Sequence, residues 1–354
     1  MPKQALKRMF LKRAARGKQD SILLNFGEHF SSEGERKLSR LLSKHRGLYV
    51  VENASGMDSR TAKKTVKEWI WLSQVKQNGL ESRLKSHPDL QKAHIKPLVE
   101  FYKRGAGKAI IAESYGKREF RRLKILDAER RANAELVMEA LARKDIRAAL
   151  GRFNDFVEAS AKMSRLRNST IVKNVSRMKG SVFARYGTAH SLLFPELKRL
   201  RPEAKIVFEE KPIFPHYVAL LRAKILGKAR NPSREVIAKA WLNTFIANEH
   251  VKLAKNLGVS TDNPKICLFS NALIDALPFA SIEGVLEGMA NQGLKNQDLK
   301  NLNEWVWEEL CRRNSVPSGL SESKPKDQLR VMRDFCRRVY GEHSKLYQIA
   351  YGVK

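Results

Sequence analysis

Four residues with catalytic or metal-binding side chains follow short apolar stretches of the sequence: Glu28, His29, Glu52 and His190. Short apolar runs between polar residues favour buried strands over helices. If these strands are parallel, the four residues meet at a common carboxyl edge, where open α/β sheets bind ligands. Two imidazoles with one or two carboxylates suit zinc, manganese or a similar divalent ion. The set predicts activation of a water molecule, with Glu28 or Glu52 as general base, or with a histidine in that role if no metal is bound. The alternative is that they are solvated loop residues.

The first of these residues belong to a predicted strand–helix–strand unit. Residues 22–26 form its first strand and residues 48–51 its second. Between them, Ser32 and Glu35 have the spacing of a capping box, and a leucine-rich helical face follows. A helical crossover makes the two strands parallel, so their carboxyl ends lie at the same edge of the sheet.

The same order of elements recurs later in the chain. A strand predicted at residues 181–186 is followed by Gly187 and His190, then by a short helix and a strand at residues 205–208. One histidine after a strand is usually incidental. Two such units in one chain favour a shared site at the edge of the sheet.

Two weaker strand signals lie between these units. The stretch Lys108–Tyr115 predicts a third strand that ends near Glu113, and the stretch Leu123–Leu126 predicts a fourth. Residues 59–102 and 128–179 otherwise have helical periodicity.

A polar pair lies near the apolar stripe of the second helix in this region. Arg167 and Asn168 stand four and three residues before Ile171, so helical geometry aims both at the buried face. Buried arginine and asparagine side chains need partners. One interpretation is a structural salt bridge. The other is that Arg167 or Asn168 stabilises the negative charge that develops on a substrate carbonyl oxygen.

Lysine and arginine outnumber aspartate and glutamate by 68 to 37, which gives a net charge of +31. Such a field attracts nucleic acid, anionic membrane or acidic protein. Cys267, Cys311 and Cys336 are too few and too unevenly spaced for a disulfide framework or a cysteine-rich zinc site, so a cytoplasmic location is expected. The hydrophobic share of 42% predicts a folded core. No run approaches the roughly 20 apolar residues of a membrane span.

The sequence predicts three regions in an α/β fold. Residues 1–20 form a basic segment, which is either a terminal helix or a surface anchor or targeting peptide. Residues 21–212 form a domain with a central, mostly parallel sheet and a helical insertion at about 59–179. Residues 213–354 form an all-helical C-terminal region. Its helices are predicted at residues 215–226, 233–257, 269–292, 299–313 and 326–351.

Four short motifs in the first 210 residues resemble those of the TraB/Tiki (PrgY-like) superfamily, which is distantly related to the erythromycin-esterase-like and ChaN-like proteins. The motifs are Gly27-Glu28-His29, Val50-Val51-Glu52, Arg167-Asn168 followed by Ile171, and Gly187-Thr188-Ala189-His190. Their order and approximate spacing agree with the family pattern. The first motif is one residue shorter than the family's Gly-x-x-His, residues 213–354 lie outside the resemblance, and no counterpart of the family's membrane segment is recognised.

The resemblance implies a cleft lined by histidine and glutamate. Members of the superfamily include metal-dependent proteases, peptide-pheromone-inactivating proteins, a hydrolase of macrolide lactones and haem-binding proteins. We therefore expect a hydrolase of a peptide or ester bond, with a divalent metal (Mn, Zn or Co) on His29, Glu52 and His190. The expected catalytic residues are Glu28, Glu52, Arg167 and Asn168. Two alternatives stay open: a protein that binds nucleic acid or another polyanion and has a vestigial cleft, and a haem- or small-ligand-binding protein.

Overall fold

The computed structural model describes residues 21–26, 32–51, 57–74, 97–98, 100–105, 107–208, 211–259, 261, 263–292 and 299–352. Within these ranges the protein has a mixed α/β fold with a five-stranded parallel sheet and a helical C-terminal region, so the predicted fold class is confirmed. The basic segment 1–20 lies outside the described residues.

The central sheet contains five strands, all parallel to their neighbours. Two further strands of two residues each form a separate parallel pair. The seven strands are β1 (Ser21–Phe26), β2 (Gly47–Val51), β3 (Met57–Asp58), β4 (Gly107–Ile111), β5 (Ser114–Tyr115), β6 (Ser181–Tyr186) and β7 (Lys205–Phe208). The order in the central sheet is β4-β2-β6-β1-β7, and β3 pairs with β5.

Helices connect the strands and form most of the remaining structure. Those before β7 are α1 (Ser32–Lys44), α2 (Ser59–Gln74), α3 (Lys117–Ala142), α4 (Ile146–Ser176), a 3-10 turn (Thr188–Leu192) and α5 (Leu193–Leu200). Those after β7 are α6 (His216–Ile225), α7 (Arg234–Phe245), α8 (Ala247–Leu257), α9 (Pro264–Asp275), α10 (Phe279–Asn291), α11 (Leu299–Arg313), a 3-10 turn (Ser318–Glu322), α12 (Pro325–Tyr340) and α13 (Lys345–Tyr351).

The two predicted strand–helix–strand units are present, but they interleave. β6 lies between β1 and β2 of the first unit, and β1 lies between β6 and β7 of the second. Their helices cover opposite faces of the sheet. Leu38 of α1 is buried on the face that carries Phe183, whereas Leu197 of α5 is buried on the face that carries Ala184. Consecutive residues of a strand point to opposite faces, as Phe183 and Ala184 of β6 do.

α3 and α4 form an antiparallel hairpin that joins the sheet to the helical region. Ile171 and Val175 of α4 pack on the sheet, whereas Phe153 and Val157 belong to the core of the C-terminal helices. The 31 residues of α4 span about 46 Å at 1.5 Å per residue. The last turn of α4 lies near the amino edge of the sheet, because β6 begins there shortly afterwards. The helix is longer than the strands, so its earlier turns extend beyond the carboxyl edge. The helical region therefore lies beyond the carboxyl edge, where the candidate site is expected.

Residues 123–126, which the sequence predicts as a fourth strand, lie in α3 instead. Leu123 and Leu126 are buried, whereas Lys124 and Ile125 between them are exposed. A spacing of three places the two leucines on one face of a helix, and a strand would instead alternate at every residue. The third predicted strand is confirmed as β4, which ends two residues before Glu113.

Three of the long C-terminal helices predicted from the sequence are each divided in two. One break falls at Ile246 between α7 and α8, another before Pro278, and a third at Gly341, which has a φ of +77°. Proline disfavours helical geometry at the preceding residue, and a positive φ suits glycine. Within the described ranges, no single helix is long and apolar enough to cross a membrane, although α9 and α10 together, bent by 94°, meet the length and composition criteria.

Candidate functional site at the carboxyl edge of the sheet

The predicted site residues follow three strands that are neighbours in the sheet: β2, β6 and β1. Val50 of β2 is in register with Ala184 of β6, and Phe26 of β1 is in register with Tyr186 of β6. The chain therefore leaves all three strands at the same edge of the sheet, as the sequence predicts.

Glu28, His29 and Glu52 lie outside the described residues, so their positions stay predictions. In the part of the chain that the structure describes, no group of three or more His, Cys, Asp or Glu residues is arranged to hold a metal ion. The predicted metal site, which needs two of the undescribed residues, also stays a prediction.

The ends of β1 and β6 form a topological switch point. These two strands are adjacent and parallel, but the helices that follow them cover opposite faces of the sheet. Segments that diverge in this way leave a crevice between the strand ends, which is the usual ligand site of an open α/β sheet. His190 lies in the turn that leaves β6 at this point.

His190 is held in the 3-10 turn directly after β6. Its backbone N–H donates a 2.9 Å hydrogen bond to the Gly187 carbonyl, and its half-buried ring lies 5.8 Å from the Tyr186 ring, centroid to centroid. The hydroxyl of the next residue, Ser191, accepts a 2.7 Å hydrogen bond from Nη1 of Arg222 in α6. The turn that carries the imidazole is therefore fixed by both β6 and the helical region.

Helices α6 and α4 contribute several cations near this edge. The Arg222 guanidinium lies 4.1 Å from the centroid of the Phe214 ring, and burial lowers the pKa of Arg222. Lys224, only 3% exposed, has its Nζ 3.4 Å from Oε2 of Glu158. Nη2 of Arg165 lies 3.0 Å from Oε1 of the same Glu158. Arg165 and Lys224 thus share one carboxylate.

Sequence reasoning missed Arg185, a buried cation at the end of β6. Its side chain is 1% exposed, and it alternates with Ala184 and Tyr186, so it shares the face of Phe183. An arginine inside the otherwise apolar strand SVFARY is the signal that could have identified it, because charged side chains are rarely buried in strands.

Arg167 pairs with Glu113, which follows β4. Nε of Arg167 donates to Oε1 of Glu113 at 2.6 Å, and Nη2 donates to Oε2 at 3.0 Å. Tyr115 donates its hydroxyl to Oε1 at 3.0 Å. Burial and the charge of Glu113 raise the pKa of Tyr115. The structural salt bridge that the sequence left open as one interpretation of Arg167 is therefore present, with a carboxylate that is 1% exposed.

This ion pair lies at the side of the candidate crevice. β4 is two strands away from β6, and strands are spaced by about 4.8 Å, so the two strand ends are separated by about 10 Å. Asn168, the other predicted member of the pair, is half-buried on α4. Asn174, six residues further along α4, donates from Nδ2 to the Ala112 carbonyl at 2.7 Å and so holds α4 against the end of β4.

Comparison with protein-family models, curated proteins and solved structures found no match for this chain. The resemblance to the TraB/Tiki superfamily therefore stays a prediction from four short motifs.

Proposed function

We propose that this protein hydrolyses a peptide or ester bond at the carboxyl edge of its sheet. The observation that carries the proposal is the strand order, because β2, β6 and β1 are consecutive and parallel, and each precedes a residue suited to act on a substrate. Enzymes with open parallel sheets use this edge, since segments that leave neighbouring strands enclose a crevice. A sheet with only a structural role does not need histidine or glutamate after three neighbouring strands.

His190 has the central role in this proposal. In the metal-free form its imidazole accepts a proton from the water molecule that attacks the substrate carbonyl, and in the metal-dependent form His190 is a metal ligand and Glu28 or Glu52 is the base. Asn168 keeps its predicted role as a hydrogen-bond donor to the developing oxyanion. For Arg167, the bidentate contact with Glu113 supports a positioning role, in which it holds α4 against the end of β4.

A divalent ion such as Zn²⁺, Mn²⁺ or Co²⁺ fits the donor set of His29, Glu52 and His190, two imidazoles and one carboxylate that follow neighbouring strands. When bound, such an ion polarises a substrate carbonyl and makes a water molecule more acidic.

The test is hydrolysis of p-nitrophenyl esters and fluorogenic peptides by the purified protein, with and without added Mn²⁺ or Zn²⁺. We expect His190→Ala to lower kcat/KM by about 100-fold or more, because it removes the proposed base. His343→Ala is the matched control. His343 follows Gly341 and Glu342, the same residue types that precede His29, but it is exposed in the helical region and follows no strand.

Metal analysis of the same proteins separates the two forms of the proposal. Metal that is present in the wild type and lost in His190→Ala supports the metal-dependent form, whereas an active protein without metal supports His190 or a glutamate as the base. Hydrolysis that is unchanged in His190→Ala, or that falls equally in both variants, contradicts the role given to His190. A folded wild-type protein that is inactive on both substrate classes with every added metal contradicts the proposed function.

A further inference from the structure

Exposed cations cluster where α2 and α3 begin. Four exposed cations lie in residues 60–67 of α2, and five lie in residues 117–124 of α3. We call this cluster the basic surface. Its members are Arg60, Lys63, Lys64, Lys67, Lys117, Arg118, Arg121, Arg122 and Lys124.

The small β3–β5 pair brings the two halves of the basic surface together. Asp58 of β3 is in register with Tyr115 of β5, and the Ser59 hydroxyl donates to the Tyr115 carbonyl at 2.9 Å. α2 starts directly after β3, and α3 starts two residues after β5. Because paired strands lie about 4.8 Å apart, the first turns of α2 and α3 are neighbours.

Two acidic residues at the starts of these helices, Asp58 and Glu119, form hydrogen bonds to backbone N–H groups. Oδ1 of Asp58 accepts hydrogen bonds from the backbone N–H groups of Arg60 and Thr61. Oε2 of Glu119 accepts one from the N–H of Gly116, and its other oxygen pairs with Lys173. Among the described residues, no carboxylate oxygen lies within 4.0 Å of a side-chain nitrogen of the basic surface.

The exposed arginines of α12 are arranged differently. Arg330 pairs with Asp327, and Arg333 and Arg337 both pair with Asp334. These three arginines of α12 therefore each have a carboxylate partner within the helix, whereas the cations of the basic surface have no such partner among the described residues.

We propose that the basic surface binds nucleic acid through the phosphate backbone, without reading the base sequence. Lysine and arginine side chains make many of the contacts of this kind. The cations extend over about 10 Å of each helix, and duplex DNA carries one charge per ~1.7 Å of its axis, so several phosphates face the surface at once. This inference does not depend on the proposed hydrolysis.

A nucleic acid fits this surface better than a membrane does. A helix that lies in a membrane interface buries an apolar face in the lipid. In these two helical segments Ala62 and Leu123 are instead buried inside the protein, and Val66 and Phe120 are partly buried. Ile125 of α3 is 67% exposed, and Ile70 and Trp71 of α2 are 39% and 45% exposed, so the exposed apolar side chains near this surface are fewer than its nine exposed cations.

The test compares two triple variants that remove the same charge from different helices. Arg118→Gln/Arg121→Gln/Arg122→Gln changes the basic surface, and Arg330→Gln/Arg333→Gln/Arg337→Gln is the control. Each variant lowers the net charge by three and replaces only exposed side chains, so circular dichroism should show a retained fold. Binding is measured by fluorescence anisotropy with a labelled 20-base-pair DNA and a labelled 20-nucleotide RNA, between 50 and 300 mM KCl.

We expect the basic-surface variant to bind at least about 10-fold more weakly than the wild type at 100 mM KCl. The slope of log K against log salt should become shallower by about 2–3, because each lost phosphate contact removes close to one unit. The control variant should keep most of the affinity and slope.

Three results would overturn the inference. The first is equal weakening in both variants, which would indicate only a net-charge effect. The second is wild-type protein that binds neither probe at 50 mM KCl. The third is unchanged nucleic-acid binding in the basic-surface variant together with lost binding to vesicles that contain phosphatidylserine, which would assign the surface to a membrane.

Discussion

Replacing Arg167 with methionine should destabilise the protein strongly, because the carboxylate of Glu113 would stay buried without its cation. Glu113 is 1% exposed, and both of its oxygens contact the guanidinium, at 2.6 and 3.0 Å. Breaking a buried ion pair from one side costs about 3–5 kcal/mol. The Tyr115 hydroxyl keeps its hydrogen bond to the carboxylate and offsets about 1 kcal/mol of that cost. We therefore expect Arg167→Met to lower the free energy of unfolding by about 2–4 kcal/mol.

A double-mutant cycle separates the ion pair from the packing of its two side chains. Glu113→Gln alone should cost about 1–3 kcal/mol, less than Arg167→Met, since Arg167 is 18% exposed and retains some hydration. The double variant Glu113→Gln/Arg167→Met removes both charges, so it should cost less than the sum of the single changes by about 2 kcal/mol.

The assay is urea unfolding followed by far-ultraviolet circular dichroism at pH 7. Arg330→Met is the matched control, because its pair with Asp327 joins side chains that are 66% and 49% exposed. Exposed pairs contribute little, so this change should stay within about 0.5 kcal/mol. A cost below about 1 kcal/mol for Arg167→Met, or single-variant costs that add within about 0.5 kcal/mol, would refute the view that this pair is buried and coupled.

Three further expectations follow from close contacts and shifted ionisation. Gly107→Ala should lower the free energy of unfolding by about 3 kcal/mol in the urea assay, because its Cβ would lie 1.8 Å from the Gly47 carbonyl oxygen and force β4 away from β2. Burial raises the pKa of the Cys336 thiol to about 12, so iodoacetamide at pH 8 should label it only after denaturation, as mass spectrometry would show. The Arg312 hydrogen bond lowers the pKa of Glu309 from 4.5 to about 2. This carboxylate therefore adds stability that is present above pH 4.5 and lost as the pH falls towards 2, and Glu309→Gln should flatten that part of the stability profile.

Each of these expectations has a result that contradicts it. Gly151 is the control for Gly107, because a Cβ there meets nothing within 4 Å and Gly151→Ala in α4 should be neutral or stabilising by about 1 kcal/mol. Equal costs for the two changes would argue against the close approach of the strands. Rapid labelling of native Cys336 would contradict its burial. An unchanged pH profile in Glu309→Gln would contradict the charge-assisted bonds to its carboxylate.

The two strand–helix–strand units could be predicted because their signals are local. Short apolar runs and helical leucine spacing depend on neighbouring residues only. Their interleaving could not, because it depends on which distant strands pair. Gly47 illustrates the difference. Glycine after a helix commonly marks the helix end, but Gly47 begins β2 with a φ of +137°, and a Cβ there would lie 2.3 Å from the Ser181 carbonyl oxygen. A residue 134 positions away in the sequence thus requires glycine.

For the candidate site too, single residues could be predicted from the sequence but contacts between distant residues could not. The sequence identified Arg167 and Glu113 separately, and it identified the need for a partner, but the pairing joins positions 54 residues apart. His190 falls where the strand pattern placed it, directly after β6. Arg185 was missed because an apolar run predicts only that a strand is buried. It does not predict that a charged residue within the run is buried as well, or which residue would pair with it.

The strand order also affects how the protein is synthesised. Both neighbours of β1 in the sheet, β6 and β7, come from much later in the chain, and Ser21 meets Ser181 across 160 residues. A ribosome that adds 5–20 residues per second needs roughly 8–30 s to cover that distance. Throughout this interval the nascent chain carries an apolar strand whose native neighbours have not yet been made. The first 180 residues should therefore benefit from chaperone binding during translation. We also expect a fragment that ends before β6 to aggregate.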